Sequence, residues 1–195
     1  MIAAIVMAAG LSRRMGSPKL VLPWGETTVI GRVVKVLSQA GVEEIVVVTG
    51  GGRQLVEAAL KDAPARIVFN PRFEDDSMAL SLQAGLNSLP EAIQAALVVL
   101  GDQPQIEVAA VRAILQAYRE GHYLLIVPSY RQRRGHPWLL HRSLWREVLN
   151  LHPPKTLRDF LRDCSEHIHY LVVDTDSVVS DLDTPEDYKR ERPGF

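Results

Sequence analysis

A single cysteine, Cys164, stands among 195 residues, so no internal disulfide can form and nothing points to an oxidising compartment. Excess charge of one sign is missing as well: 22 Lys and Arg against 23 Asp and Glu leave a formal charge of −1. That balance argues against general nucleic-acid binding, which calls for a basic face. No apolar run approaches the roughly 18 residues of a membrane-spanning helix, so no membrane association is expected. The apolar first residues have no basic start and run straight into a charged loop, so they read as a buried strand and not as a secretory signal. Repeats, low-complexity tracts and obvious interdomain linkers are absent too. With 47% hydrophobic and 23% charged residues, the chain fits one soluble cytoplasmic domain spanning residues 1–195.

Positive charge is concentrated locally. The stretch Ile5-Val-Met-Ala-Ala-Gly-Leu-Ser-Arg-Arg-Met-Gly-Ser-Pro-Lys19 is an apolar strand running into a loop with glycines at Gly10 and Gly16. Glycine lets backbone approach a ligand closely, and successive N–H groups in such a loop form an anion-binding concavity. Arg13, Arg14 and Lys19 add fixed charge, the arginines as planar forks and the lysine as a compact ammonium. The simplest ligand that needs all of this is a polyphosphate. Two better-known loops are excluded. The spacing from Gly10 to Gly16 and Lys19 is not the G-x-x-x-x-G-K-[ST] of a Walker loop. Position 12 is Ser12, so the dinucleotide pattern G-x-G-x-x-G is missing also.

Apolar, β-branched runs recur along the chain at Ile2–Ala8, Ile45–Thr49, Ile67–Asn70, Leu97–Leu100 and Leu124–Pro128, each reading as a short strand buried on both faces. Helical spacing separates them at Thr27–Ala40, Arg53–Lys61, Met78–Leu89 and Ile106–Glu120. In the first of these, Ile30, Val33, Val34 and Leu37 form the buried stripe. Gly41 and Gly121 read as helix stops, and Gly50-Gly51-Gly52 as a structural turn. The alternation predicts an α/β fold with a mostly parallel central sheet and helices on both faces. Ligands of such sheets sit beyond the carboxyl ends of the strands, which puts Gly10, Thr49, Asn70 and Gly101-Asp102 along one edge. The second half is less regular. Gly135-His-Pro-Trp-Leu-Leu140 reads as a turn and an extended segment, and Ser143–Asn150 and Thr156–Cys164 as short helices. Ile168–Val173 reads as a strand and Thr184–Arg190 as a terminal helix with Pro185 at its first position.

A reacting nucleotide brings Mg²⁺, a hard cation held by few carboxylates and by phosphate or water oxygens. Asp102 is the leading candidate ligand, because it follows an apolar strand and precedes Gln103-Pro104; the alternative is an N-cap for the helix near Ile106. Asp183, in Asp181-Leu-Asp-Thr-Pro-Glu-Asp-Tyr188, is the second candidate, with capping of the terminal helix as its alternative. His167 and His169 have no zinc-ligand spacing around them. Trp24, Trp138 and Trp145 read as packing residues, Trp138 lying beside a candidate substrate loop.

Together, Met7-Ala-Ala-Gly-Leu-Ser-Arg-Arg-Met-Gly-Ser-Pro-Lys-Leu20, Gly101-Asp-Gln-Pro104, Gly135-His-Pro137 and Asp181-Leu-Asp-Thr-Pro-Glu-Asp-Tyr188 resemble the molybdenum cofactor nucleotidyltransferases of the MobA-like NTP-transferase family, the cytidylyltransferase branch above all. The resemblance runs from residue 2 to about residue 188. It implies a Rossmann-like nucleotidyltransferase domain that transfers CMP from CTP to the phosphate of molybdopterin cofactor and releases pyrophosphate. It implies nucleotide contacts from Ala8, Ala9, Gly10, Ser12, Arg13, Arg14, Gly16, Lys19 and Asp102, with Arg14, Lys19 and Asp102 catalytic. Mg²⁺ falls to Asp102 and Asp183, and the acceptor to Gly135, His136, Pro137, Lys155 and Arg158. The run Arg131–Arg134 is either a further acceptor contact or a solvated turn. The guanylyltransferases carry Ala-Gly-Gly where this chain has Ala8-Ala9-Gly10, and one methyl group at Ala9 excludes a purine sterically. Asp76-Ser-Met-Ala-Leu-Ser-Leu82 and His152-Pro-Pro-Lys-Thr-Leu-Arg158 depart from the family pattern on the acceptor side. Other readings are a different phosphate acceptor such as a sugar or alcohol phosphate, use of GTP, or a non-catalytic protein delivering the cofactor. A molybdoenzyme or its chaperone is the expected protein partner.

Overall fold

The computed structural model describes residues 1–10 and 18–193. Its strands are β1 (Ile2–Ala8), a small hairpin of β2 (Pro23–Trp24) and β3 (Thr27–Thr28), β4 (Glu44–Thr49), β5 (Arg66–Phe69), β6 (Ala95–Leu100), β7 (Leu125–Tyr130), β8 (Arg133–Arg134), β9 (Trp138–His141) and β10 (Ile168–Val172). The helices are α1 (Val29–Ala40), α2 (Arg53–Ala59), α3 (Met78–Asn87), α4 (Val108–Gly121), α5 (Trp145–Leu149), α6 (Leu157–Asp163) and α7 (Pro185–Glu191).

The main sheet runs β10-β7-β9-β6-β1-β4-β5, with β8 attached to β7. β1 lies between β4 and β6, parallel to both, so that Ile5 faces Val46 on one side and Val98 on the other. Helices cover both faces of the sheet at β1, so the strand has no wet face, which is why Ile2–Ala8 is apolar throughout. Side chains alternate between two cores. Ala4, Val6, Val47, Leu97 and Val99 pack with α1, α2 and α4, while Ala3, Ile5, Val46, Val48 and Val98 pack with α3, α5 and α6. The expected α/β sandwich is therefore present. Antiparallel pairing enters with β9, which pairs with both β6 and β7, and with β8, which pairs with β7.

Chain order creates the ligand crevice. From β1 the chain proceeds outward through β4 and β5, then returns to the other flank of β1 as β6. The loops after β1 and β6 consequently diverge at a switch point, where open α/β sheets bind their ligands.

Helix ends follow local chemistry. Thr28 caps α1 by accepting from the Gly31 amide at 3.1 Å, and Gly41 ends that helix at φ 89°, a conformation costly for residues with a Cβ. At α4 the expectation fails. Gly121 belongs to the last turn, and His122 takes the left-handed position at φ 52°. The reason is packing: a Cβ at Gly121 would run into the Tyr123 ring, which stacks on His169 at 3.7 Å. That stacking also gives His169 a packing role. The terminal helix behaves as expected, with Thr184 as its cap, Pro185 in its first turn and Asp187 closing a capping box.

Gly135 marks a close approach. A Cβ there would overlap the Val178 carbonyl and stand 2.8 Å from Val178 Cγ2, while the next amide, His136, donates to the Val178 carbonyl at 2.8 Å. Gly135→Ala is expected to cost about 1–3 kcal/mol through overpacking. Calorimetry would register this as a melting temperature lower by about 2–4 °C per kcal/mol. An unchanged melting temperature would show that the Val178 turn yields freely.

Candidate active site

Lys19, Asp102 and Asp183 come from three distant parts of the sequence and meet beyond the ends of β1 and β6. The Lys19 Nζ donates to Asp102 Oδ2 at 2.5 Å and to the Leu182 carbonyl at 2.9 Å, and stands 3.8 Å from Asp183 Oδ1. Backbone pairing fixes this arrangement. The Gly101 amide donates to the Met7 carbonyl at 3.1 Å, and the Leu182 amide to the Asp102 carbonyl at 3.2 Å. A Cβ on Gly101 would sit 2.9 Å from the Met7 carbonyl oxygen, so glycine is what lets the turn carrying Asp102 press against β1. Neither carboxylate is a helix cap: α4 starts after Glu107 without a side-chain cap, and Thr184 caps α7.

The cluster is acidic. Burial, followed by the charges of Asp102 and Asp183, raises the Asp181 pKa, with Lys19 and Arg133 opposing. Arg133 lies on β8 beyond a turn whose Arg131 and Gln132 have φ of 46° and 65°, which brings part of the Arg131–Arg134 run toward this edge. Two carboxylates and one carbonyl already converge on one cation, the Lys19 ammonium. This is a set of hard oxygen donors, and it fits Mg²⁺ or Mn²⁺.

A cavity of about 190 Å³ opens beside the cluster, lined by Ala9, Gly10, Phe73, Ser81, Leu100 and Asp102 among others. A second, of about 440 Å³, is lined by Pro153–Pro154, Lys155, Leu157 and Arg158. Asp76, Ser77 and Met78 belong to the walls of both, so the two are neighbours across one segment. Lys155 pairs with Asp163 at 3.2 Å, and Arg158 is exposed. A wider recess of about 800 Å³ runs over the solvent face of α1, past Arg32, Lys35 and Gln39, and does not reach Lys19 or Asp102.

Of the expected nucleotide contacts, Ala8 ends β1, and Ala9 and Gly10, which follow it, line the first cavity. Ser12, Arg13, Arg14 and Gly16 lie outside the described residues. Lys155 and Arg158 share the second cavity. Gly135, His136 and Pro137 line neither. They form a strap over Val178, with the His136 ring stacked on Trp138 at 4.6 Å. Enclosure lowers the His136 pKa to about 4, and both His136 Nε2 and Trp138 Nε1 are buried without hydrogen-bond partners among the described residues.

Residues outside the expected set of ligand contacts also shape the site. Gly50 packs where a Cβ would meet Phe73 Cβ at 2.6 Å and the Ala9 carbonyl at 2.8 Å, so the glycine turn after β4 lies directly against Ala9. Asn70 and Ser81 are buried and bonded to each other at 3.2 Å, which makes Asn70 a scaffold residue at the sheet edge. Among the described residues, no helix is long and apolar enough to cross a membrane.

The molybdenum cofactor cytidylyltransferase of Escherichia coli K12 is 28% identical over 188 residues, covering 94% of this chain and 92% of that protein. The nicotine blue oxidoreductase of Paenarthrobacter nicotinovorans is 29% identical, with 97% and 95% covered. The solved structure of Rv0371c from Mycobacterium tuberculosis H37Rv superposes with a TM-score of 0.84 at 30% identity, covering 97% and 96% of the two chains, and the same protein has also been solved with manganese. The model of the MobA-like NTP transferase domain matches residues 4–169. With the crevice, the carboxylate pair and this match in agreement, the chain belongs to the MobA-like NTP transferase family and is a nucleotidyltransferase.

Proposed function

We propose that this enzyme transfers CMP from CTP, with Mg²⁺, to the terminal phosphate of molybdopterin cofactor. The observation that carries the reading is the Lys19–Asp102–Asp183 cluster, with one cavity reaching Ala9 and Gly10 and its neighbour reaching Lys155 and Arg158. The first suits a nucleotide donor and the second an anionic acceptor. The names of the Escherichia coli relative and of two Bacillus molybdenum cofactor guanylyltransferases support the acceptor. For the base, Ala9 in place of glycine favours a pyrimidine.

An acceptor phosphate oxygen attacks the α-phosphorus in line, a new P–O bond forms, and the bond to the β-phosphate bridging oxygen breaks to release pyrophosphate. A phosphate monoester is already ionised near neutral pH, so positioning and charge neutralisation suffice without a strong general base. Lys19 supplies a positive charge to the phosphates, as would Arg14. Asp102 and Asp183 would hold Mg²⁺, which when bound contributes Lewis-acid neutralisation of phosphate charge. Lys155 and Arg158 receive the acceptor, and a molybdoenzyme or its chaperone takes the product.

In a thermal-shift panel of the four NTPs with Mg²⁺, CTP is expected to stabilise selectively. At about 100 times its Kd a ligand adds about 2.7 kcal/mol, several degrees for a chain of this size. Mass analysis of products then identifies the acceptor. Equal stabilisation by GTP would remove the argument from Ala9, and pyrophosphate release with a sugar phosphate alone would remove the cofactor.

A further inference from the structure

We infer that Lys19 is a tethered cation that keeps the carboxylate site from taking a divalent ion alone, so that metal enters with nucleotide. The inference rests on the nucleotide-and-metal reading of the crevice and adds an order of binding to it. The ammonium is within 3.8 Å of three oxygens that a metal could use there: Asp102 Oδ2, the Leu182 carbonyl and Asp183 Oδ1. Its side chain is only 14% exposed, so it fills the site and does not sample solvent beside it. An ammonium and a small divalent ion seek the same hard oxygens, and two like charges cannot share one position.

The root of the side chain is fixed while its tip can move. Lys19 opens a helical turn, Lys19–Val21, whose Leu20 is buried, and the four-carbon stem lets the ammonium relocate. A polyphosphate beside Gly10 gives that ammonium a more strongly charged partner. When Lys19 turns to it, Asp102 loses the ammonium's positive charge and favours a divalent ion. The two binding events are then positively coupled, and the coupling is reciprocal. A lysine serving only as a structural ion-pair partner has no such coupling.

The test is Mn²⁺ binding to the nucleotide-free, full-length protein, followed by electron paramagnetic resonance. Lys19→Met is expected to lower the Mn²⁺ Kd by about tenfold or more relative to wild type, because a full like charge leaves the site. Lys19→Gln, checked for folding by circular dichroism, serves if the methionine variant does not fold. Equal Mn²⁺ affinity in wild type and a folded variant, with CTP still tightening Mn²⁺ binding to wild type, would overturn the gating role and leave the nucleotide reading in place. If CTP gives wild type no tightening beyond its own chelation of Mn²⁺, the nucleotide reading fails and the inference fails with it.

Discussion

Asp102→Asn is expected to lower kcat by about 10²–10³-fold, the loss typical when one preorganised electrostatic contact is removed from a reaction centre. The substitution keeps the shape of the side chain and an oxygen for Lys19 but removes the negative charge. The backbone that places residue 102 is untouched, because the Gly101 amide still reaches Met7 and the Asp102 carbonyl still accepts from Leu182. Lys19 keeps the Leu182 carbonyl at 2.9 Å, so the stability cost stays at about 1–2 kcal/mol, that of a weakened charged hydrogen bond. Catalysis and folding are thereby separated in one variant. Pyrophosphate release measures the first and urea unfolding the second. Turnover within threefold of wild type would take Asp102 out of the reaction.

The parts of this site were readable separately, and their meeting was not. A strand whose two faces are both covered by helices must be apolar along its length, so β1, β4 and β6 announce themselves in the sequence. A charged residue directly after such a strand is conspicuous, which is how Asp102 was singled out. Lys19 and Asp102 are 83 positions apart, however, and no local periodicity reports contact at that range. The third oxygen around the ammonium is a backbone carbonyl, Leu182, which has no residue-type signal at all. Phe73, Ser77 and Met78 line the first cavity, but their side chains are ordinary packing and turn residues in a sequence. The position of β9 was hidden for a similar reason. Trp138–His141 is apolar like its neighbours, and only its pairing with β6 and β7 makes it antiparallel. Gly121 shows the opposite failure, in which a correct local rule gives way to the space required by Tyr123.

Between pH 7.5 and pH 4, the wild-type protein is expected to lose about 3 kcal/mol more stability than His136→Gln, by linkage at about 1.4 kcal/mol per pH unit between the folded and unfolded pKa values. In the unfolded chain this imidazole protonates near 6.5, whereas burial holds it down to about 4 in the fold. Below pH 6.5 the unfolded state therefore binds more protons than the native state, and native stability falls as pH falls. The decline flattens below pH 4, once the folded ring is protonated too. Glutamine has no such titration, so subtracting the two urea-derived stability curves cancels the other groups, and parallel curves would sink the assignment. The same observation bears on the acceptor. A ring that is neutral at physiological pH, with its Nε2 buried and without a hydrogen-bond partner among the described residues, brings no positive charge to Gly135-His136-Pro137. Any cation for an acceptor phosphate must then come from elsewhere in the crevice. In the proposed function Lys155 and Arg158, which share the second cavity, would supply it, and His136 would contribute through the shape of its stack on Trp138.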